Sequence, residues 1–166
     1  MNNFFKYTLL FVIVVLLQVL LFNNMNLFGL VNIYVYLIFL ISLPVGMSRD
    51  LQMVLAFLLG LCVDVFTNTL GMNIFASVLV AFVRNSLLGR LYNRQELEAS
   101  VSPSIKTIGR PAFLKFVFFI VLLHHTVLFF LEDPEFKNVG HTLLMILCSV
   151  PVSYLFIVCY YLLKKN

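Results

Sequence analysis

Residues 58–84 read LLGLCVDVFTNTLGMNIFASVLVAFVR: two apolar runs separated by Asn68, Thr69 and Gly71, with a carboxylate at Asp64 and a guanidinium at Arg84. Asn, Thr and Gly are turn formers, so the stretch predicts two helices joined by a tight turn. The first belongs to an apolar segment over about 51–66 and the second to one over about 71–88. Ala56, Gly60 and Asp64 follow at i, i+4 and i+8 and share one helical face, where small residues let backbones approach closely. Asn73, Ser77 and Ala81 make a similar stripe on the second helix. The two stripes are expected to face each other, with Asp64 turned to the interior. Both runs are short, so a re-entrant hairpin is the alternative to two full spans.

Outward from this pair lie four more apolar segments, at about 4–22, 28–46, 112–131 and 142–163. The 166 residues are 62% apolar and 11% charged, with a mean hydropathy of +1.04. Soluble domains carry roughly 25% charged and about 45–50% apolar residues, so this chain has too little polar surface for a soluble enzyme. A membrane helix takes about 20 residues; six would take about 120 and leave about 46 for every loop and tail, with no room for a second domain. The expected fold is all-α: a compact six-helix transmembrane bundle, one domain over 1–166. The first segment is longer than a signal-peptide core and runs into Asn23, Asn24 and Met25 without a small-residue cleavage site, so it reads as an anchor. Cys62, Cys148 and Cys159 all lie in apolar runs without zinc-type spacing and read as buried small hydrophobes.

The net charge of +4 and pI near 9.1 come from too few residues to form a nucleic-acid stripe. They serve orientation instead, because Lys and Arg accumulate on the cytoplasmic side of membrane proteins. Lys6, Arg49, Arg84, Arg90, Arg94, Lys106, Arg110, Lys115, Lys164 and Lys165 fall on one side of the six-span scheme, and only Lys137 on the other, beside Glu132, Asp133 and Glu135. Both termini are therefore expected to be cytoplasmic. The one roomy loop, 84–111, is basic and is expected to present Arg84, Arg90, Arg94, Lys106 and Arg110 as a cytoplasmic surface. Its start, with Leu87, Leu88, Leu91 and Tyr92 at helical spacing, reads first as a solvated extension of the fourth span, and second as a surface for anionic lipid or a protein.

Asp64 is the one carboxylate inside a span, which costs a few kcal/mol on insertion scales. It reads as a hydrogen-bond anchor in preference to a binding or proton-relay group. His124 and His125 interrupt the fifth span, diverge by about 100°, and lack a partner at i+3 or i+4, so no metal site is expected. Depth along the helices puts Asp64 and His125 in the same half of the membrane, so one of the histidines is expected to hydrogen-bond Asp64. Ser149, Pro151 and Ser153 read as a proline kink whose hydroxyls satisfy the freed backbone groups. No Walker A loop, GxSxG elbow, HExxH or paired-carboxylate array occurs, so neither a catalytic site nor a cofactor is expected.

Gly60, Leu61, Asp64, Gly71 and Phe75 follow the GLxxD pattern with its later Gly and Phe, and in this the chain resembles the bacterial rod shape-determining protein MreD family. The phrase LLHHTVLFFLE, residues 122–132, is similar to the fifth helix of the form found in Bacteroidetes-like bacteria. The resemblance extends to length, span count and loop pattern. It implies a non-catalytic protein of the bacterial inner membrane working in the complex that directs lateral peptidoglycan synthesis. The partners it implies are membrane lipids, a bitopic MreC-like scaffold, an MreB-like filament and a RodA/transpeptidase pair, with no nucleic acid. The family's fold is thought to be similar to substrate-binding components of energy-coupling-factor transporters. The alternative is therefore a vitamin-uptake component lining an outer pocket with Asp64, Asn73 and His124 or His125.

Overall fold

The computed structural model describes residues 3–25, 29–69, 71–92 and 101–164, with side chains from residue 5 onward. Its elements are α1 (Asn3–Leu20), α2 (Leu37–Ser42), α3 (Arg49–Thr67), α4 (Met72–Leu91), α5 (Ile105–Ile108), α6 (Arg110–Glu132) and α7 (Val139–Leu163). No β-strand occurs among the described residues. Five stretches are long and apolar enough to cross a membrane: Phe5–Asn24, Arg49–Thr67, Met72–Leu91, Arg110–Glu132 and Val139–Leu163. Their ends follow local chemistry. Ser48 caps α3, its Oγ accepting from Leu51 N at 3.4 Å. Asn68 at φ 55° and Gly71 at φ 84° make the left-handed turn into α4, a conformation these residue types tolerate best.

The second apolar segment is not the helix expected over 28–46. Residues 29–36 form turns and extended chain, only Leu37–Ser42 closes a short helix, and Leu43 is extended at φ −61°, ψ 146°. The cause is local. Val31, Ile33, Tyr34, Val35 and Tyr36 are β-branched or aromatic and lose side-chain freedom in a helix, and Pro44 disfavours helical geometry at the residue before it. The segment lies lengthwise along α7: Asn32 meets Ser149, Tyr34 meets Ser153 and Ser42 meets Tyr161. Every residue of 33–43 is buried. Unwound backbone at this depth is tolerated where protein surrounds it, and here α1, α3, α4, α6 and α7 do so.

The two ends of the bundle differ. The start of α1, residues 101–107 and the end of α7 come together around one cavity containing Lys6, Lys106 and Lys164. Lys137, paired with Glu135, sits in the α6–α7 turn at the opposite end of α7. The apolar core is aromatic-rich: Phe11 packs edge-on to Phe39 at 5.3 Å, and Phe113 to Tyr161 at 4.7 Å.

The α3–α4 hairpin is the tightest joint. At Gly60 an added Cβ would stand 2.5 Å from Ile74 Cα, 2.7 Å from Ile74 N and 2.8 Å from the Asn73 carbonyl carbon. All three are backbone atoms, so a helix must move. Gly60→Ala is expected to cost about 1–3 kcal/mol, as overpacking does, although alanine is the better helix former. Gly140→Ala, with nothing within 4 Å of the added carbon, is expected to be neutral or slightly stabilising. Thermal unfolding of the purified protein in detergent distinguishes the two.

Candidate functional site: a buried polar column

Asp64 acts as the missing cap of α4. The N-cap position is Gly71, which has no side chain, and α3 supplies the acceptor instead. Asp64 Oδ1 accepts from Asn73 N at 3.1 Å and Asn73 Nδ2 at 2.9 Å, Oδ2 accepts from Ile74 N at 2.9 Å, and the Thr69 hydroxyl also donates to Oδ1. Asn73 and Ile74 are the second and third residues of α4, whose N–H groups lack helical partners. The partial positive charge of a helix N-terminus also favours a carboxylate. One residue thus joins two helices, and four donors occupy it.

From Asp64 the polar contacts continue inward in one direction. Asn73 gives its amide hydrogens to Asp64 and, at 3.2 Å, to Thr69, which turns Oδ1 toward the Tyr36 hydroxyl, its donor at 3.1 Å. With that proton committed, the phenol oxygen receives Ser77 Oγ at 3.4 Å and His124 Nε2 at 2.5 Å. His124 then carries its hydrogen on Nε2, and Nδ1, buried without a hydrogen-bond partner among the described residues, is a bare lone pair. The donors run His124 to Tyr36 to Asn73 to Asp64, all toward the carboxylate. Such chains polarise each bond in turn.

The expected direct bond between Asp64 and a histidine is therefore replaced: Tyr36 and Asn73 stand between the carboxylate and His124. His125 faces elsewhere. Its Nδ1 lies 2.8 Å from Val121 O, which places the proton on Nδ1 and leaves Nε2 to accept from Ser153 Oγ at 3.0 Å. Ser153 Oγ in turn accepts Tyr34 N at 3.2 Å. Ser149 Oγ accepts Asn32 N at 3.1 Å and donates to Leu30 O at 3.2 Å. The hydroxyls flanking Pro151 satisfy backbone groups of the broken segment, at Leu30, Asn32 and Tyr34, and not the expected freed groups of their own helix. Gln18 of α1 completes the set, its Oε1 accepting Val35 N at 2.8 Å and its Nε2 donating to Ile33 O at 2.9 Å.

Arg84 is a correction. Expected on the cytoplasmic surface, it is 0% exposed. Its guanidinium donates to Ile41 O at 3.3 Å and to Leu43 O, and to the side-chain oxygens of Gln52 at 3.2 Å and Asn85 at 3.3 Å. Ile41 and Leu43 close α2, where Pro44 stops the helix and leaves carbonyls unpaired. A planar fork with five donors suits several oxygens at once. The cation also meets the negative end of a helix, and its carbon Cζ lies 5.9 Å from the Phe116 ring centroid. Of the other residues assigned to that surface, Arg90, Lys106 and Arg110 are exposed, and Arg94 lies outside the described residues.

The structure thus brings Asp64, Asn73, Ser77 and His124 into one network and places His125 beside it. Ala56, Gly60 and Ala81 are buried at helix contacts, and Gly71 forms the turn. Gln18, Gln52 and Asn85 were not singled out from sequence, although each is polar within an apolar run, and Tyr36, which with Tyr34 reads from sequence as an interfacial aromatic anchor, is instead fully buried. A signal for Arg84 existed: it follows Ala81 at i+3 on the face already carrying Asn73 and Ser77. Beside the network is a cavity of about 110 Å³ bordered by Gln18, Asn23, Tyr34, Thr69, Asn73 and Glu132, about the volume of a few waters at roughly 30 Å³ each. No cluster of metal-ligating side chains occurs among the described residues.

Two substitutions test the caps. Asp64→Leu strands the Asn73 and Ile74 N–H groups and is expected to cost about 3 kcal/mol or more, since each buried unmade bond costs about 1–3 kcal/mol. Asp64→Asn, which keeps an acceptor, should lose less. Arg84→Leu should be comparably damaging by stranding the α2 carbonyls, with Arg84→Lys intermediate because one ammonium cannot span the fork. Folded yield by size-exclusion chromatography and thermal midpoints provide the ranking.

Comparison of the chain with protein-family models, with curated proteins and with solved structures finds no match, so its function has to be read from its residues and their geometry.

Proposed function

We propose that this chain is a non-catalytic scaffold of the bacterial inner membrane, part of a cell-elongation complex, helping to control cell shape and lateral peptidoglycan synthesis by binding other membrane proteins. In this reading the broken segment is a sixth crossing, both termini are cytoplasmic, and the end bearing Lys6, Lys106 and Lys164 faces the cytoplasm, as the bias of basic residues favours. The observation that carries it is the engagement of Asp64. A carboxylate holding four donors from its own chain serves architecture, and binding then belongs to the outward faces. Those faces are apolar, with Val65, Phe66, Phe75, Leu147 and Leu155 more than half exposed, as surfaces that pack against lipid and partner helices are. The GLxxD-type pattern of residues 60–64, with Gly71 and Phe75, supports the assignment to a rod complex.

A vitamin-uptake component built on the polar column would need a pocket lined by Asp64, Asn73 and His124 or His125. Ligand sites usually enclose about 300–1,000 Å³, whereas the cavity beside Asn73 has about 110 Å³. That difference favours the scaffold.

Affinity purification of the tagged full chain from mild-detergent membranes tests the proposal. A bitopic MreC-like scaffold, with a RodA/transpeptidase pair or an MreB-like filament, is expected to accompany it. Recovery of an ATPase pair in their place would overturn the scaffold reading in favour of uptake.

A further inference from the structure

One feature that the polar column leaves unexplained lies at the opposite, basic end of the bundle. A cavity of about 410 Å³ opens between the start of α1, residues 101–107 and the end of α7. Lys6, Lys106 and Lys164 border it from three separate parts of the chain, with Ser104 among the hydroxyls between them. Among the described residues lining it there is no carboxylate. Two of the three ammonium groups rest on aromatic rings: Lys164 Nζ is 5.5 Å from the Tyr160 ring centroid and 5.7 Å from that of Tyr161, and Lys6 Nζ is 6.0 Å from that of Tyr7. Rings orient a cation without neutralising it. Partial burial, and then the nearby Lys6, hold the Lys164 ammonium below the usual lysine value. Like charges gathered with no counter-charge among the described lining residues are an electrostatic cost that a bound anion lowers.

The walls indicate the source of the anion. Leu10 and Leu162 line the cavity beside the lysines, and Leu162 and Leu163 are 58% and 82% exposed. The site therefore stands at the level where two membrane-length helices end, with cations above and an aliphatic flank below. Lysines near helix ends extend toward the interface in this way, and clustered basic residues there attract anionic lipid. A free phosphate uses only the cations, whereas a phospholipid uses both.

We infer that Lys6, Lys106 and Lys164 form a binding site for a phosphate ester, occupied by the headgroup of an anionic phospholipid whose acyl chains lie against Leu10 and Leu162.

The test is native mass spectrometry of the full-length protein in detergent, titrated separately with phosphatidylglycerol, phosphatidylcholine and inorganic phosphate. Phosphatidylglycerol is expected to bind in preference to phosphatidylcholine. Lys164→Gln should weaken it about five-fold and the triple Lys6→Gln/Lys106→Gln/Lys164→Gln variant on the order of a hundred-fold, the scale of one interfacial basic residue each. Lys137→Gln, at the other end, should bind as the parent does. Thermal unfolding without lipid identifies a variant whose loss of binding reflects misfolding; Lys-to-Arg replacements at the same three positions, which retain the charge, should keep the preference. Equal binding of the two lipids, or undiminished phosphatidylglycerol binding by a folded triple variant, would overturn the site. Binding of inorganic phosphate as tight as that of phosphatidylglycerol would overturn the lipid assignment.

Discussion

An unwound backbone inside a helical bundle presents N–H and C=O groups that a helix would have paired with itself, and in apolar surroundings each bare group costs several kcal/mol. The segment 29–43, buried from Ile33 onward, imposes that requirement on everything around it. Gln18 answers Ile33 and Val35, Ser149 answers Leu30 and Asn32, Ser153 answers Tyr34, and Arg84 answers Ile41 and Leu43. These side chains come from α1, α7 and α4. Polar residues in otherwise apolar helices are thus the counterpart of one segment that does not coil.

Two buried charges follow the same logic at opposite ends of helices. Asp64 receives the first N–H groups of α4, and Arg84 receives the last carbonyls of α2. For Asp64, no oppositely charged side chain occurs among its described hydrogen-bond partners. A buried ion pair needs good geometry to repay desolvation of both members. A charge placed on a helix terminus needs only one ion, because the other half of the interaction is the peptide dipole. In a chain with so few charged residues, this arrangement lets the Asp64 carboxylate be buried against a helix terminus.

This division explains what could be read in the sequence. The helical faces of Ala56, Gly60 and Asp64, and of Asn73, Ser77 and Ala81, were legible because 3.6-residue spacing and small side chains are local properties, and Gly60 does sit on the backbone of Ile74. The broken segment was not legible, because hydropathy over 28–46 scores apolarity and apolar chain is equally at home in a buried helix or a buried extended run. Its β-branched and aromatic residues and Pro44 were the available sign. Arg84 was misread for a related reason. It falls near the end of an apolar run, where a basic residue ordinarily marks the interface, and only its partners in the unpredicted break give it a place inside. The histidines were placed at the right depth, but Tyr36, which links His124 to Asn73, lies on that same segment.

Arg84 thus leaves the surface set and becomes part of the interior. Association between helices in lipid gains little from apolarity, since the acyl chains are as apolar as leucine. Selectivity for partner helices then has to come from shape, and shape is reproducible only if the bundle's own helices hold one register. Gly60 against Ile74, Asp64 at the start of α4 and Arg84 at the end of α2 fix α4 relative to α3 and α2. In the proposed scaffold role the polar interior and the apolar exterior are in this sense one design: the first makes the second rigid enough to be specific.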